Sequence, residues 1–236
     1  MAPPQARPDH PTLAFVHTVL TLAPTFSQLA QELAPGTELF HIADESLLTV
    51  TRRAGSLTPL TKRRVLGHVM SAVDGGADLV LVTCSSIGPA VDMIQGFVPV
   101  PVLRVDEPMA DEAVRLGRSI GVLATLSSTL EPTAELVDRQ GQAAGKPVRV
   151  VARLCDGAFE ALAAGDRALH DELVREGIRQ LCRDVDVVVL AQASMARVAD
   201  ALPDQERTVP VLASPRLAMT RVADLLARRA LAAYEA

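Results

Sequence analysis

The stretch Asp78-Leu-Val-Leu-Val-Thr-Cys-Ser-Ser-Ile-Gly-Pro-Ala-Val-Asp92 decides the fold, because the chain carries it twice. It aligns without a gap on Asp186-Val-Val-Val-Leu-Ala-Gln-Ala-Ser-Met-Ala-Arg-Val-Ala-Asp200, 108 residues further on. In both copies four apolar residues run consecutively, Leu79–Val82 and Val187–Leu190, as suits a parallel strand buried on both faces. The same spacing pairs Thr21-Leu-Ala-Pro-Thr25 with Thr129-Leu-Glu-Pro-Thr133. Val100-Pro-Val-Leu103 returns as Val209-Pro-Val-Leu212, one residue off that spacing. Three matches at nearly one offset indicate an ancient duplication.

Working outward, the β-rich runs occupy Leu13–His17, Glu38–Ile42, Leu79–Thr83, Val100–Val105, Ile120–Ala124, Val148–Arg153, Val187–Ala191 and Val209–Leu212. Helical periodicity covers Pro59–Val73, Glu107–Leu116, Thr133–Gln142, Ala168–Arg183 and Pro215–Ala233. Alternation of this kind predicts an α/β fold of two pseudo-symmetric lobes, each a parallel sheet flanked by helices. Residues 12–105 with 213–236 form the first lobe in this reading and residues 106–212 the second, the last helix crossing back to the first. No Gly/Ser-rich linker separates them, so the lobes should pack closely. Residues 1–11, with four prolines and no apolar core, read as a disordered tail rather than a signal peptide.

Composition removes several classes of function. The chain of 236 residues is 49% hydrophobic and 22% charged, with no run long enough to span a membrane. A net charge of −5, 3% aromatics and no Trp leave neither a basic face nor stacking platforms for nucleic acid. Lys62 and Lys146 are the only lysines, one in a basic run and one in a turn, which argues against a Schiff-base cofactor. Cys84, Cys155 and Cys182 are odd in number and far apart, so a disulfide framework is not expected and a reducing cytoplasm is the natural setting. No HxH or HExxH spacing supports a metal, and no GxGxxG or P-loop supports a nucleotide.

In open parallel sheets the ligand lies beyond the carboxyl ends of the strands. Those ends are polar here: His17-Thr18, Asp44-Glu45-Ser46, Thr83-Cys84-Ser85-Ser86, Thr125 with Ser127-Ser128-Thr129, and Gln192-Ala193-Ser194. Two facing lobes would set the Cys84 and Gln192 loops against each other across one cleft. Cys84 follows a strand and opens a helix, where free N–H groups and the helix dipole favour a thiolate. Ser85 and Ser86 add donors suited to a carboxylate or enolate oxygen. The alternative is a structural cysteine followed by capping serines. For Cys155 and Cys182 packing is the expected role. His17 and Glu45 are candidate proton carriers, against a hydrogen-bonded histidine and a solvated first-turn charge.

These residues resemble the aspartate/glutamate/hydantoin racemase superfamily over nearly the whole chain after the tail. Val82-Thr-Cys-Ser-Ser86 resembles its first cysteine loop, Gly121-Val-Leu-Ala-Thr125 with Ser127-Ser128-Thr129 its GVxAT segment, and Leu190-Ala-Gln-Ala-Ser-Met195 its second cysteine loop. The resemblance implies a cofactor-independent isomerase or racemase acting on a small carboxylate or oxo-acid, and it allows a homodimer. It implies that Cys84 is acid/base or nucleophile, with His17 or Glu45 as second proton carrier. Substrate oxygens would fall to Ser85, Ser86, Thr125, Ser127, Ser128, Gln192 and Ser194. The departure is Gln192, which stands where the second cysteine is expected and cannot carry a proton at ordinary pH. A one-base decarboxylase or lyase, and a non-catalytic carboxylate binder, are the alternatives.

Overall fold

The computed structural model describes residues 10–234, with side chains as far as Arg229, so most of the expected tail lies outside the described residues. The first half of the chain builds β1 (Thr12–His17), α1 (Ala23–Leu33), β2 (Glu38–Ala43), α2 (Glu45–Ala54), α3 (Pro59–Asp74), β3 (Leu79–Val82), α4 (Gly88–Ile94) and β4 (Val102–Arg104). The second builds α5 (Glu107–Leu116), β5 (Ser119–Ala124), α6 (Ser127–Ala143), β6 (Arg149–Leu154), α7 (Ala158–Ala163), α8 (Arg167–Leu181), β7 (Val187–Leu190), α9 (Ala196–Asp200), β8 (Val211–Ala213) and α10 (Ser214–Tyr234).

The strands form two four-stranded parallel sheets of matching order, β2-β1-β3-β4 and β6-β5-β7-β8. The register repeats as well: Val80 faces Val102 in the first sheet, and Val188 faces Val211 in the second. Each of the eight expected strands is present, with ends differing by one or two residues.

Side-chain alternation sends successive residues of a strand to opposite faces. In the first sheet Ala14, Val16, Val80 and Val82 pack on Leu47 of α2 and on Val65 and Val69 of α3. Their neighbours Leu13, Phe15, Leu79 and Leu81 pack on Phe26 of α1 and on Met219 and Val222 of α10. Burying each such Leu, Val or Phe is worth about 1.5–3 kcal/mol. In the second sheet Ile120, Val122, Val187 and Val189 meet Met109 and Ala113 of α5, while Leu123, Val188 and Leu190 meet Val174 and Ile178 of α8. Cys155 and Cys182 belong to that last cluster, and all three cysteines are free.

Helix starts follow local chemistry. Asp44 caps α2 through Ser46 N–H (3.1 Å), and its carboxyl also accepts from His68. Thr58 caps α3 ahead of Pro59. One start differs from expectation: α6 begins at Ser127 rather than Thr133. Pro132 looks like a first-turn proline but sits inside the helix, where it forfeits one backbone bond without ending the run.

A cleft with one thiol

The carboxyl ends of β3 and β7 are built alike. Cys84 leaves β3 with φ −130° and ψ 118°, a single 3₁₀ turn Ser85–Ile87 follows, and α4 starts at Gly88. Gln192 leaves β7 with φ −122° and ψ 134°, the turn is Ala193–Met195, and α9 starts at Ala196. Both turns line a cavity of about 630 Å³.

Cys84 is half-buried on that cavity. Burial pushes its thiol up, against hydrogen bonds from Thr18, the backbone N–H groups of Ser86 and Ile87, and the Ser86 hydroxyl. The expected helix-start donors are therefore present, but desolvation outweighs them and the resting group is the thiol, not the thiolate. Thr18 Oγ1 is enclosed and has no other partner. Ser86 Oγ also meets Thr129 Oγ1 at 2.7 Å, which ties the first sheet's turn to α6 of the second. At the β7 end the Gln192 amide is folded onto Thr125: its Oε1 accepts from the Thr125 N–H at 2.6 Å and its Nε2 donates to the hydroxyl at 2.8 Å.

The family model for Asp/Glu/hydantoin racemases matches residues 16–222. The chain belongs to that family. Among solved structures it is similar to an allantoin racemase from Klebsiella pneumoniae, at 20% identity and a TM-score of 0.70, covering 93% of this chain and 89% of that one. A glutamate racemase isoform from Bacillus anthracis gives 16% identity and a TM-score of 0.69, covering 94% and 84%. The glutamate racemase from Francisella tularensis in complex with D-glutamate gives 13% and 0.69, covering 94% and 83%. At such identities the likeness carries the racemase fold alone. No curated protein matches the sequence closely enough to count as a relative.

Within this racemase-family cleft the structure brings together Cys84, Ser85, Ser86, Gln192 and Ser194. Three other expected oxygen-binding residues fall outside it. Thr125, Ser127 and Ser128 line a neighbouring cavity of about 530 Å³, because α6 begins at Ser127 and its first turn faces that way. Leu126 separates the two spaces and borders both.

The proposed second proton carriers are also displaced. His17 is fully buried beside Phe15, on the face of β1 that meets α1. Its Nδ1 lies 2.8 Å from Thr83 Oγ1, whose hydroxyl donates to the Val16 carbonyl, so Nδ1–H is the donor. His17 Nε2 then accepts from His41 Nδ1–H (2.8 Å), and His41 Nε2 accepts from the Ser27 hydroxyl (2.9 Å). Burial, with His41 adding to it, holds His17 at about 4. It is a neutral structural ring one residue short of the cleft. Glu45 opens α2 at the exposed surface and accepts from Leu20 N–H at 3.3 Å, so it reaches no cavity wall.

Sequence reasoning placed Thr18 at a polar strand end without giving it a role, and it passed over Leu48, Phe159, Leu162, Arg167 and Arg197, all of which the cavity contains. Alternation along β1 marks Thr18, since it follows Val16 to the face opposite His17. The β6 end marks Phe159 and Leu162, because α7 follows that strand directly. Among the described residues no three His, Cys, Asp or Glu side chains gather as a metal site would require. No described helix is long and apolar enough to cross a membrane.

Proposed function

We propose that this racemase-family protein is a cofactor-independent enzyme that moves one proton at a carbon next to a carboxylate, with Cys84 as the proton carrier. The carrying observation is the unlike pair at the two mirrored strand ends, a thiol at Cys84 and an amide at Gln192. Racemisation by two bases needs a proton taken from one face and another delivered to the opposite face. Cys84 serves one face; Gln192 hydrogen-bonds and carries no proton. The chemistry that fits is exchange with retention, or an isomerisation completed on a single face. In exchange, the Cys84 thiol first gives its proton to solvent, the thiolate removes the substrate proton, the electron pair enters an enediolate, and the thiol, after trading its proton with solvent, returns one to the same face. The Ser85–Ile87 turn offers N–H and hydroxyl donors to the enediolate oxygens.

The raised thiol favours a second reading on the same residues, a one-base decarboxylation. The C–C bond breaks, carbon dioxide leaves, the electron pair stays as an enediolate, and the Cys84 thiol protonates its carbon. Water then restores the thiol. Both readings are tested by incubating carboxylates with the protein in D2O, following deuterium at the α-carbon and loss of carboxyl by NMR. Exchange or decarboxylation should fall about 10²–10⁴-fold in Cys84→Ala. Unchanged turnover in that variant would overturn the thiol as carrier, and binding without any turnover would leave a carboxylate-binding protein.

A further inference from the structure

Because the halves are duplicated, each outer surface of one half has a counterpart in the other. α3 and α8 correspond at a spacing of 109 residues: the buried positions Thr61, Val65, Val69 and Ala72 of α3 fall on His170, Val174, Ile178 and Leu181 of α8. The 3₁₀ turns Gln95–Phe97 and Asp204–Glu206 correspond at the same spacing. In the second half the outer side of α8 is an ion network. Arg179 reaches Glu206 (2.9 Å), Glu172 (3.5 Å) and Glu176 (3.6 Å), and Arg175 reaches Glu172 (3.0 Å). Such a face suits water.

The first half presents a different face at the same positions. Met70 stands for Arg179 and Phe97 for Glu206, and they are 40% and 74% exposed. Since Arg179 and Glu206 touch, these two positions share one surface, so the first half has an apolar patch where the second has a salt bridge. Met93, four residues before Phe97, is 56% exposed. Along α3 the exposed residues Leu60, Arg63, Gly67, Met70 and Asp74 follow at steps of three and four, a single stripe down the helix. None of them lines either cavity. Gly67 sits mid-helix, where glycine is the least favourable residue after proline, and a Cβ there would meet nothing within 4 Å. It leaves a notch on the outside of the helix.

The charges around the stripe carry both signs. Asp44 holds Arg64 and His68, and Asp92 of α4 is held by Arg104 and Arg139. On α2, Glu45 accepts from Leu20 N–H, Arg52 lies 4.1 Å over the Phe159 ring and Arg53 borders the neighbouring cavity. That leaves Lys62, Arg63 and Asp74 of α3 without an ion pair among the described residues. Arg63 and Asp74 flank Gly67 and Met70 on the stripe. A two-fold axis between Gly67 and Met70, with two α3 helices antiparallel, sets each Arg63 beside the partner's Asp74 and each Met70 into the notch at the partner's Gly67. A surface that complements itself about one axis is what a closed pair of identical chains requires. We propose that α3, with Met93 and Phe97 beside it, is the face on which two copies of this chain pair, through reciprocal Arg63–Asp74 ion pairs around Met70 and Gly67.

Sedimentation of the native protein across the micromolar range should show a monomer–dimer equilibrium. Met70→Glu and Phe97→Glu, checked for folding by circular dichroism, should each raise the dissociation constant at least about tenfold. Arg63→Glu and Asp74→Arg should each weaken the pair, and the two together should restore it, because the exchanged charges meet again across the axis. Arg179→Ala on the mirrored face should leave the equilibrium unchanged. A native protein that stays monomeric throughout, or forms an assembly larger than a dimer, would overturn the proposal. So would a dimer indifferent to Met70→Glu and Phe97→Glu, which would pair through another face. A dimer that those variants break, but that the double charge exchange does not restore, would overturn it as well.

Discussion

The β3 and β7 strand ends share a backbone and differ in what stands behind it. In the first sheet the residue paired with Val82 is Arg104; in the second the residue paired with Leu190 is Ala213. Arg104 is almost fully buried, held by both oxygens of Asp106 (3.0 Å each) and by Asp92 at 2.9 Å. Its guanidinium fills the space under the Cys84 turn that a side chain at position 88 would need, and position 88 is glycine. The mirrored position is Ala196, with no arginine beneath it. One lobe thus carries a thiol on a turn braced from below by a buried ion cluster. The other carries an amide that braces itself on Thr125.

The sharpest way to break this asymmetry is chemical. Gln192→Cys should place a second proton carrier on the far face, so a substrate that only exchanges with retention in the native protein begins to invert. Chiral chromatography of product formed in D2O reads this directly. No inversion in a folded, exchanging variant would mean that the two ends do not flank the same carbon.

The next effect is on stability and belongs to the first sheet only. His17 sits at about 4 in the native state against about 6.5 when unfolded, so the unfolded chain binds the extra proton between those values. The contribution of neutral His17 is fully present above pH 6.5 and is lost as pH falls towards 4, amounting to about 3 kcal/mol. Urea unfolding at pH 7 and pH 4.5 should show the loss, and His17→Asn should flatten much of that slope.

The smallest effect compares the turns themselves. A Cβ on Gly88 would lie 2.6 Å from Arg104 Nε and 2.7 Å from its Cζ. Gly88→Ala should therefore cost about 1–3 kcal/mol, measured by urea unfolding at pH 7. The mirrored Ala196→Gly should cost no more than about 1 kcal/mol, the helix-propensity difference. Equal costs would show that the arginine does not constrain the first turn.

The sheets were legible because continuous apolar runs such as Leu79–Val82 and Val187–Leu190 admit few other readings, and the repeat announced the pairing of halves. The positions of Cys84 and Gln192 followed from the rule that ligands gather at strand ends. That rule names a loop but not the side of the strand each residue faces. His17 and Thr18 are adjacent in sequence, yet one lies in the α1 interface and the other against the thiol. Nor does local sequence disclose a helix start hidden by an internal proline, which is why the turn of Ser127 and Ser128 onto the neighbouring cavity is not legible in it. The buried Arg104 and the cleft's apolar lining, Leu48 with Phe159 and Leu162, were illegible for another reason: each depends on residues far apart in the chain meeting at one place.

The hydroxyls that join the two halves have a direction. When the Cys84 thiolate forms, the single Ser86 hydroxyl proton turns to the sulfur, and across the 2.7 Å contact Thr129 is then the donor and Ser86 the acceptor. A hydroxyl anchored on the second sheet thereby polarises the sulfur of the first through one intermediary. Sulfur acidity becomes a gauge of the gap between the halves: whatever pulls Thr129 away, or claims its proton, is registered at the sulfur before it touches it.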